Sequence, residues 1–233
     1  MNAHPPLART PACPHAWFVT GTDTEVGKTF ATCALLHVLK RQGVRAIGMK
    51  PIAAGVDAAG KNDDVESLVA ASGIDAPRPL VNPYLFAPPI APHIAAREAG
   101  EHIDIERIAA AFDALCSQAD AVLVEGVGGF CVPLDAQRDT ADLARRLGLP
   151  VILVVGMRLG CINHALLSAQ AIAAAGLPLA GWIANRIDPA MSRWEDNLSA
   201  LQARLPAPLL GVIPPCSTPE AAAHILRLPE RVA

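Results

Sequence analysis

Apolar positions fall into two alternating patterns along the chain. Short unbroken runs, suited to strands buried on both faces, occupy 17–19, 44–49, 121–124, 150–155, 179–184 and 209–213. Between them, apolar residues recur at helical spacing over 30–39, 64–72, 103–117, 139–147, 161–175, 192–204 and 219–228. In the 103–117 segment, Ile105, Ile108, Ala109, Phe112 and Leu115 share one face. Gly43 is placed to close the first helix after Arg41 and Gln42. Pro51, which cannot donate to a ladder, stops the second strand, and Asn62 or Asp63 starts the helix at 64. Residues 52–62 read as a Gly/Ala-rich loop. Residues 76–92 hold Pro77, Pro79, Pro83, Pro88, Pro89 and Pro92 and read as an irregular surface excursion, although Asn82, Pro83, Tyr84, Pro92 and His93 can still line a site. Strand alternating with helix predicts an α/β fold: a mostly parallel sheet covered by helices on both faces, like that of P-loop NTPases. In such a sheet ligands sit beyond the carboxyl ends of the strands.

The chemistry begins at the first strand-to-helix junction. The run TGTDTEVGKT from Thr20 to Thr29 follows a strand and opens a helix, the setting a phosphate-binding loop requires. Backbone N–H groups of the loop and of the helix start face a phosphate, Lys28 reaches its outer oxygens, and the Thr29 hydroxyl sits on Mg²⁺. The loop is a variant. Gly21 stands five residues before Gly27, and Thr22 fills the position where the usual pattern has glycine. The other strand ends carry Lys50, Glu125 and Asn185, so these polar groups converge on one edge with Lys28 and Thr29. Thr29, Glu125 and one of Asp63 and Asp64 make a hard-cation set. Each has a plainer reading: Glu125 capping its turn, Asp63 and Asp64 serving a helix start, Lys50 snorkelling from a strand end. The glycines after Glu125, at 126, 128 and 129, allow close backbone approach to a ligand. Two lysines and a divalent ion suit phosphoryl transfer, which needs positioning and charge neutralisation. The Gly160–Asn163 helix entry offers N–H groups to a carboxylate or is an ordinary start.

Composition narrows the class. The chain has 233 residues and a net charge of −3, which suggests no general attraction to nucleic acid or anionic membrane. The six cysteines are scattered without a CxxC, as in reduced thiols of a cytoplasmic protein, and the seven histidines form no zinc pattern. Residues 1–15, rich in Pro, Ala and His, read as a flexible tail with no signal-peptide core, leaving 16–233 as one domain. Residues 159–185 lack Asp, Glu, Lys and Arg, but Asn163, His164, Ser168 and Gln170 interrupt them and Gly176 and Pro178 break them. A buried helix and strand explain the stretch better than a membrane span.

Together these motifs resemble dethiobiotin synthetase. The matching pieces are TGTDTEVGKT, Lys50-Pro51, VEGVGG at 124–129, Val155 together with LGCINH at 159–164, AGWIAN at 180–185 and PAPLLG at 206–211. The first motif is shared with cobyrinic and cobyric acid synthases, and the later ones are more specific. The resemblance runs from about Trp17 to the C-terminus. It implies ATP-dependent carboxylation and ring closure of 7,8-diaminopelargonate with CO₂, or bicarbonate as its source, through a carbamate and its phosphoric anhydride. It implies that Glu25, Val26, Gly27, Lys28, Thr29 and Phe30 hold the phosphates, with Gly126, Val127 and Gly128 beside them. Mg²⁺ would be held by Thr29, Asp64 and Glu125. The carbamate and γ-phosphate would be bound by Lys28 and Lys50, with Thr24 nearby. Asn185, Arg186, Pro214, Pro215, Cys216 and Glu220 would contact the nucleotide. It further implies a homodimer with the site at the interface, where Cys161, Ile162 and Asn163 of one subunit hold the substrate carboxylate of the other. Two departures stand out. Ala54 stands where the family often has a hydroxyl residue, and Asn197 lies near where the family can carry an aromatic that helps hold the substrate carboxylate, so one substrate hydrogen bond and one carboxylate contact are in question. Two rival readings are a cobyrinate-type amidating synthetase, whose glutaminase domain 233 residues leave no room for, and a partitioning-type P-loop ATPase, which carries an early loop lysine where this chain has Asp23.

Overall fold

The computed structural model describes residues 15–230. Nine helices and eight strands follow in order among them. They are β1 (His15–Gly21), α1 (Lys28–Arg41), β2 (Ala46–Met49), β3 (Ile52–Ala54), α2 (Asp63–Ala71), α3 (Arg78–Val81), β4 (Tyr84–Phe86), α4 (Pro92–Glu98), α5 (Ile105–Cys116), β5 (Ala121–Glu125), α6 (Thr140–Leu147), β6 (Val151–Gly156), α7 (Cys161–Ala174), β7 (Leu179–Asn185), α8 (Trp194–Gln202), β8 (Leu209–Ile213) and α9 (Pro219–Ala222). Six strands form one sheet in the order β2-β5-β1-β6-β7-β8, every pairing parallel. β3 and β4 make a separate parallel pair.

The continuous apolar runs become strands buried on both faces because side chains alternate across the pleat. Val19, Leu123, Ile152 and Val154 pack under α1, α2 and α9. Phe18, Val122 and Val124 turn the other way, onto α5 and α6. Leu153, Val155, Trp182 and Ala184 join α7 and α8 in a third cluster on that second face. α1 ends where expected: Gly43 adopts φ 75°, and the Val44 N–H returns to the Leu39 carbonyl at 3.1 Å. The start of α2 is settled in favour of Asn62, whose side chain accepts from the Val65 N–H.

The structure departs from the sequence reading in three places. β3 lies inside the expected 52–62 loop, and the proline-rich 76–92 stretch contains α3, β4 and the first residue of α4. Prolines fall where a missing N–H costs nothing, as at the first position of α4. α9 ends at Ala222 instead of running to 228, because Arg227 N–H bonds to the Leu210 carbonyl of β8 at 3.0 Å and draws the chain along the sheet edge. The expected tail boundary also moves: His15 already belongs to β1, and the rest of that expectation, residues 1–14, lies outside the described residues. No helix among the described residues is long and apolar enough to cross a membrane, and the charge-free stretch is α7 followed by β7.

Candidate active site

The carboxyl ends of β1, β2 and β5 open onto a cavity of about 670 Å³. Thr24, Glu25, Gly27, Lys28, Thr29, Lys50 and Asp64 give it a polar wall. Ala53, Ala54 and the run Pro89 to Pro92 line it from the excursion, and Val127, Gly128 and Val132 from the loop after β5. Glu125 is wholly buried and does not line the cavity itself; it lies behind Thr29 and Lys50, to both of which it is hydrogen-bonded.

The loop between β1 and α1 is built to present backbone N–H groups. Gly27 takes φ 82° at the helix start, and a Cβ there would run into the Asn185 amide. Glu25 is held at φ 59°, a conformation few side chains adopt unless their surroundings fix it. The Thr22 N–H bonds to the Val154 carbonyl at 3.0 Å, Asn185 Nδ2 donates to the Val26 carbonyl at 3.0 Å, and Lys28 Nζ donates to the Asp23 carbonyl at 3.0 Å.

Four charged groups converge beyond this loop. Lys50 Nζ donates to Asp64 Oδ2 at 2.8 Å and to Glu125 Oε1 at 2.5 Å, and the Thr29 hydroxyl donates to that same Glu125 oxygen at 2.7 Å. Burial works against the Lys50 ammonium, but the Glu125 and Asp64 carboxylates outweigh it and raise its pKa. Burial likewise opposes charge on Asp64, and Lys50 prevails there, leaving that carboxyl below its usual value. Lys28 is pushed down to about 8, first by burial and then by the neighbouring Lys50 charge. Both lysines line the cavity and lie within electrostatic reach of each other, so they share one site. The structure also separates the two candidate aspartates: Asp64 faces the cavity, whereas Asp63 is exposed in the first turn of α2.

A divalent ion fits these residues. Thr29, Asp64 and Glu125 supply three oxygen-bearing side chains, and Glu125 Oε2 is buried without a hydrogen-bond partner among the described residues. Two carboxylates drawn onto one ammonium mark a place that demands positive charge. No cluster of three or more His, Cys, Asp or Glu side chains suited to a metal occurs among the described residues, so an ion held by Thr29, Asp64 and Glu125 would need water and phosphate oxygens to complete its shell.

The remaining expected residues lie elsewhere. Asn185 and Arg186 sit at the end of β7 beside Ile213 of β8, on the other flank of the phosphate loop. The Arg186 guanidinium lies over the Trp194 ring at 4.1 Å. Pro214, Pro215 and Cys216 follow β8, with Cys216 at φ 57°. Glu220 pairs with His37 at 3.2 Å, and Phe30, in the first turn of α1, packs partly buried against the core on that face. Gly126 N–H bonds to the Val19 carbonyl at 2.9 Å. Cys161, Ile162 and Asn163 open α7 and do not line the cavity of their own chain.

Sequence reasoning missed Asn62, Ala53, Pro89, Ile90, Ala91 and Val132 as cavity residues. It also missed the structural job of Asn82, whose buried amide donates to the Lys50 carbonyl at 2.6 Å and the Tyr84 carbonyl at 3.0 Å. The proline cluster was the available signal that this excursion holds a fixed shape. Cys33 stands near the site but is no nucleophile: burial, then the Glu125 and Asp64 charges, push its thiol up to about 12.

A family profile described as "AAA domain" matches residues 15–222. The ATP-dependent dethiobiotin synthetase BioD of Aromatoleum aromaticum is 62% identical over 221 residues, covering 93% of this chain and 98% of that protein. Its namesake in Nitrosospira multiformis is 58% identical, covering 85% and 87% respectively. Among solved structures, a ParA-family ATPase from Chlorobium tepidum matches with a TM-score of 0.54 at 15% identity, covering 87% of this chain and 84% of that one. The septum site-determining protein MinD from Pyrococcus horikoshii matches with a TM-score of 0.52 at 18% identity, covering 86% and 82%. These two likenesses establish the shared fold and nothing further.

Proposed function

This chain belongs to the ATP-dependent dethiobiotin synthetase family, and on that premise we propose that its cavity closes the ureido ring of dethiobiotin on 7,8-diaminopelargonate. The observation that carries the reading is the Lys50 ammonium wedged between Asp64 and Glu125, with Lys28 beside it at the mouth of the phosphate loop.

One amine of the diamine, as free base, attacks CO₂ and loses a proton, giving a carbamate anion. A carbamate oxygen then attacks the γ-phosphorus of ATP, and ADP leaves. The second amine attacks the carbonyl carbon of this mixed anhydride, and phosphate leaves as the ring closes. An anion attacking a polyanion needs positive charge between the two. Lys28 and Lys50 supply it. The Lys28 ammonium donates to the Asp23 carbonyl at 3.0 Å, a bond that holds it at the mouth of the loop for the triphosphate. The Thr24 hydroxyl, on the same wall, accompanies the carbamate. Thr29, Asp64 and Glu125 would hold Mg²⁺, which would supply charge to neutralise phosphate oxygens, and the Lys50 ammonium balances Asp64 and Glu125. Backbone N–H groups from Glu25 to Phe30 cradle the phosphates. Asn185, Arg186, Pro214 to Cys216 and Glu220 take the nucleotide's base and ribose end, outside the triphosphate cavity.

The apolar wall of Ala53, Ala54, Pro89, Ile90 and Val132 suits the hydrocarbon chain of the diamine acid. Its carboxylate lies beyond the cavity mouth, and the α7 entry of a second copy, Cys161 to Asn163, receives it. Leu159 at 92% and Leu167 at 55% exposure, on a segment without charged residues, give α7 a surface fit for pairing with that copy. The reading thus takes residues 16–233 as one synthetase domain acting in a cytoplasmic dimer. Its test is transfer of label from bicarbonate into an acid-stable product, dependent on both the diamine and MgATP. Phosphate release that ignores the diamine and responds to DNA or lipid would instead favour a partitioning ATPase.

A further inference from the structure

The phosphate loop contains an acidic residue pointing at nothing the reaction requires. Asp23 stands between β1 and Lys28, where a carboxylate is adverse to a bound triphosphate. Its Oδ2 is met by the guanidinium of Arg158, which donates from Nη2 at 2.5 Å. Arg158 belongs to the turn between β6 and α7, and β6 is the neighbour of β1 in the sheet. The other two polar groups of Asp23 are also engaged: Oδ1 accepts from the Thr24 N–H at 2.8 Å, and its carbonyl accepts from Lys28 Nζ. Arg158 is bonded at its other end too, its carbonyl accepting from the Cys161 N–H of the first α7 turn at 3.0 Å.

We propose that Arg158 is a positioning residue of the ATP site: it neutralises the Asp23 carboxylate and holds the first half of the phosphate loop against the turn that begins α7. Fold stability does not account for the pair. Its side chains are 42% and 44% exposed, and ion pairs that open to water contribute about 0–1 kcal/mol. Electrostatics does account for it. Without Arg158, a full negative charge stands beside Lys28 on the loop that must accept a triphosphate. With it, Asp23 is locally neutral, and its backbone carbonyl stays where the Lys28 ammonium is parked. The same contact ties the triphosphate loop to the helix start assigned above to the substrate carboxylate, through one residue. The inference rests on the family's use of ATP and needs no detail of ring closure.

The test measures ATP binding by calorimetry and steady-state KM for ATP and diamine in the full chain. Arg158→Gln should weaken ATP binding and raise KM for ATP roughly tenfold, with kcat at saturating ATP within about threefold and the melting temperature unmoved. The deficit should shrink at high salt, because the unpaired charge is screened. Arg158→Lys, which keeps the charge, should restore most of the affinity. The Asp23→Asn/Arg158→Gln double variant should bind ATP better than Arg158→Gln alone, since the offending carboxylate is gone. Parental ATP affinity in Arg158→Gln, or a double variant no better than the single one, overturns the proposal. Because binding is read without turnover, failure of the ring-closure reading would appear separately, in the bicarbonate assay.

Discussion

Lys50 carries two jobs that a substitution separates. It balances Asp64 and Glu125 in the folded chain, and it supplies charge to the reacting phosphoryl group. Lys50→Gln should cut kcat by about 100- to 1,000-fold, the scale for removing one aimed electrostatic group. It should also leave the buried Glu125 carboxylate, with the half-exposed Asp64 beside it, without its ammonium, at about 3 kcal/mol, lowering the metal-free melting temperature by roughly 10 °C. Added Mg²⁺ should then raise the variant's melting temperature more than the parent's, read by calorimetry; equal gains would remove Asp64 and Glu125 from the metal site. Ala54 lines the cavity wall with no hydroxyl to offer. Ala54→Ser should lower KM for the diamine a few-fold, the value of one hydrogen bond at about 0.5–1.5 kcal/mol, with kcat unchanged. An unaltered KM would mean that no substrate group faces this position.

The excursion between β2 and α5 shapes half of the site, and its elements are too short for periodicity to register. β3 and β4 have three residues each and α3 four, so their pairing is decided by tertiary contacts such as the Asn82 amide. The long apolar runs and capped helices that hold Lys28, Thr29, Lys50 and Glu125 were legible, because burial on both faces leaves a strand no other composition. Asn82→Ala should cost about 2–3 kcal/mol by stranding two buried carbonyls, and should reduce kcat by loosening Lys50. Intact turnover with the stability loss would confine Asn82 to the scaffold. Acid sensitivity belongs to another short element, the turn entering α6. Asp135 drops from 3.8 to about 2, chiefly because its carboxylate accepts the Gln137 N–H, with Arg138 adding to the effect. The folded value lies below the unfolded one, so the stabilisation is complete above about pH 4 and disappears as the pH falls toward 2. In this open setting it amounts to less than about 1 kcal/mol. The melting-temperature gap between parent and Asp135→Asn should therefore close over that window; a constant gap would deny the carboxylate its role.

At the scale of the whole molecule, the site described here is open on one side. In the proposed dimer, Leu167 of α7 and Leu159 just before it would meet the second copy, which would supply the remaining wall. Leu167→Asp should halve the mass seen by light scattering and raise KM for the diamine while sparing ATP binding; an undiminished mass would place the interface elsewhere. The absence of charge from 159 to 185 reads in the sequence as a buried helix and strand, whereas in the structure β7 is buried and much of α7 is exposed. The ladder order has one more consequence. β1 is bonded only to β5 and β6, so His15 must wait for Ala121 and Phe18 for Val151. On a ribosome adding about 5–20 residues per second, the first strand emerges on the order of 10 s before its neighbours. Nascent chains stalled short of residue 156 should therefore leave the Lys28 segment open to protease, and release of a few dozen more residues should close it at once.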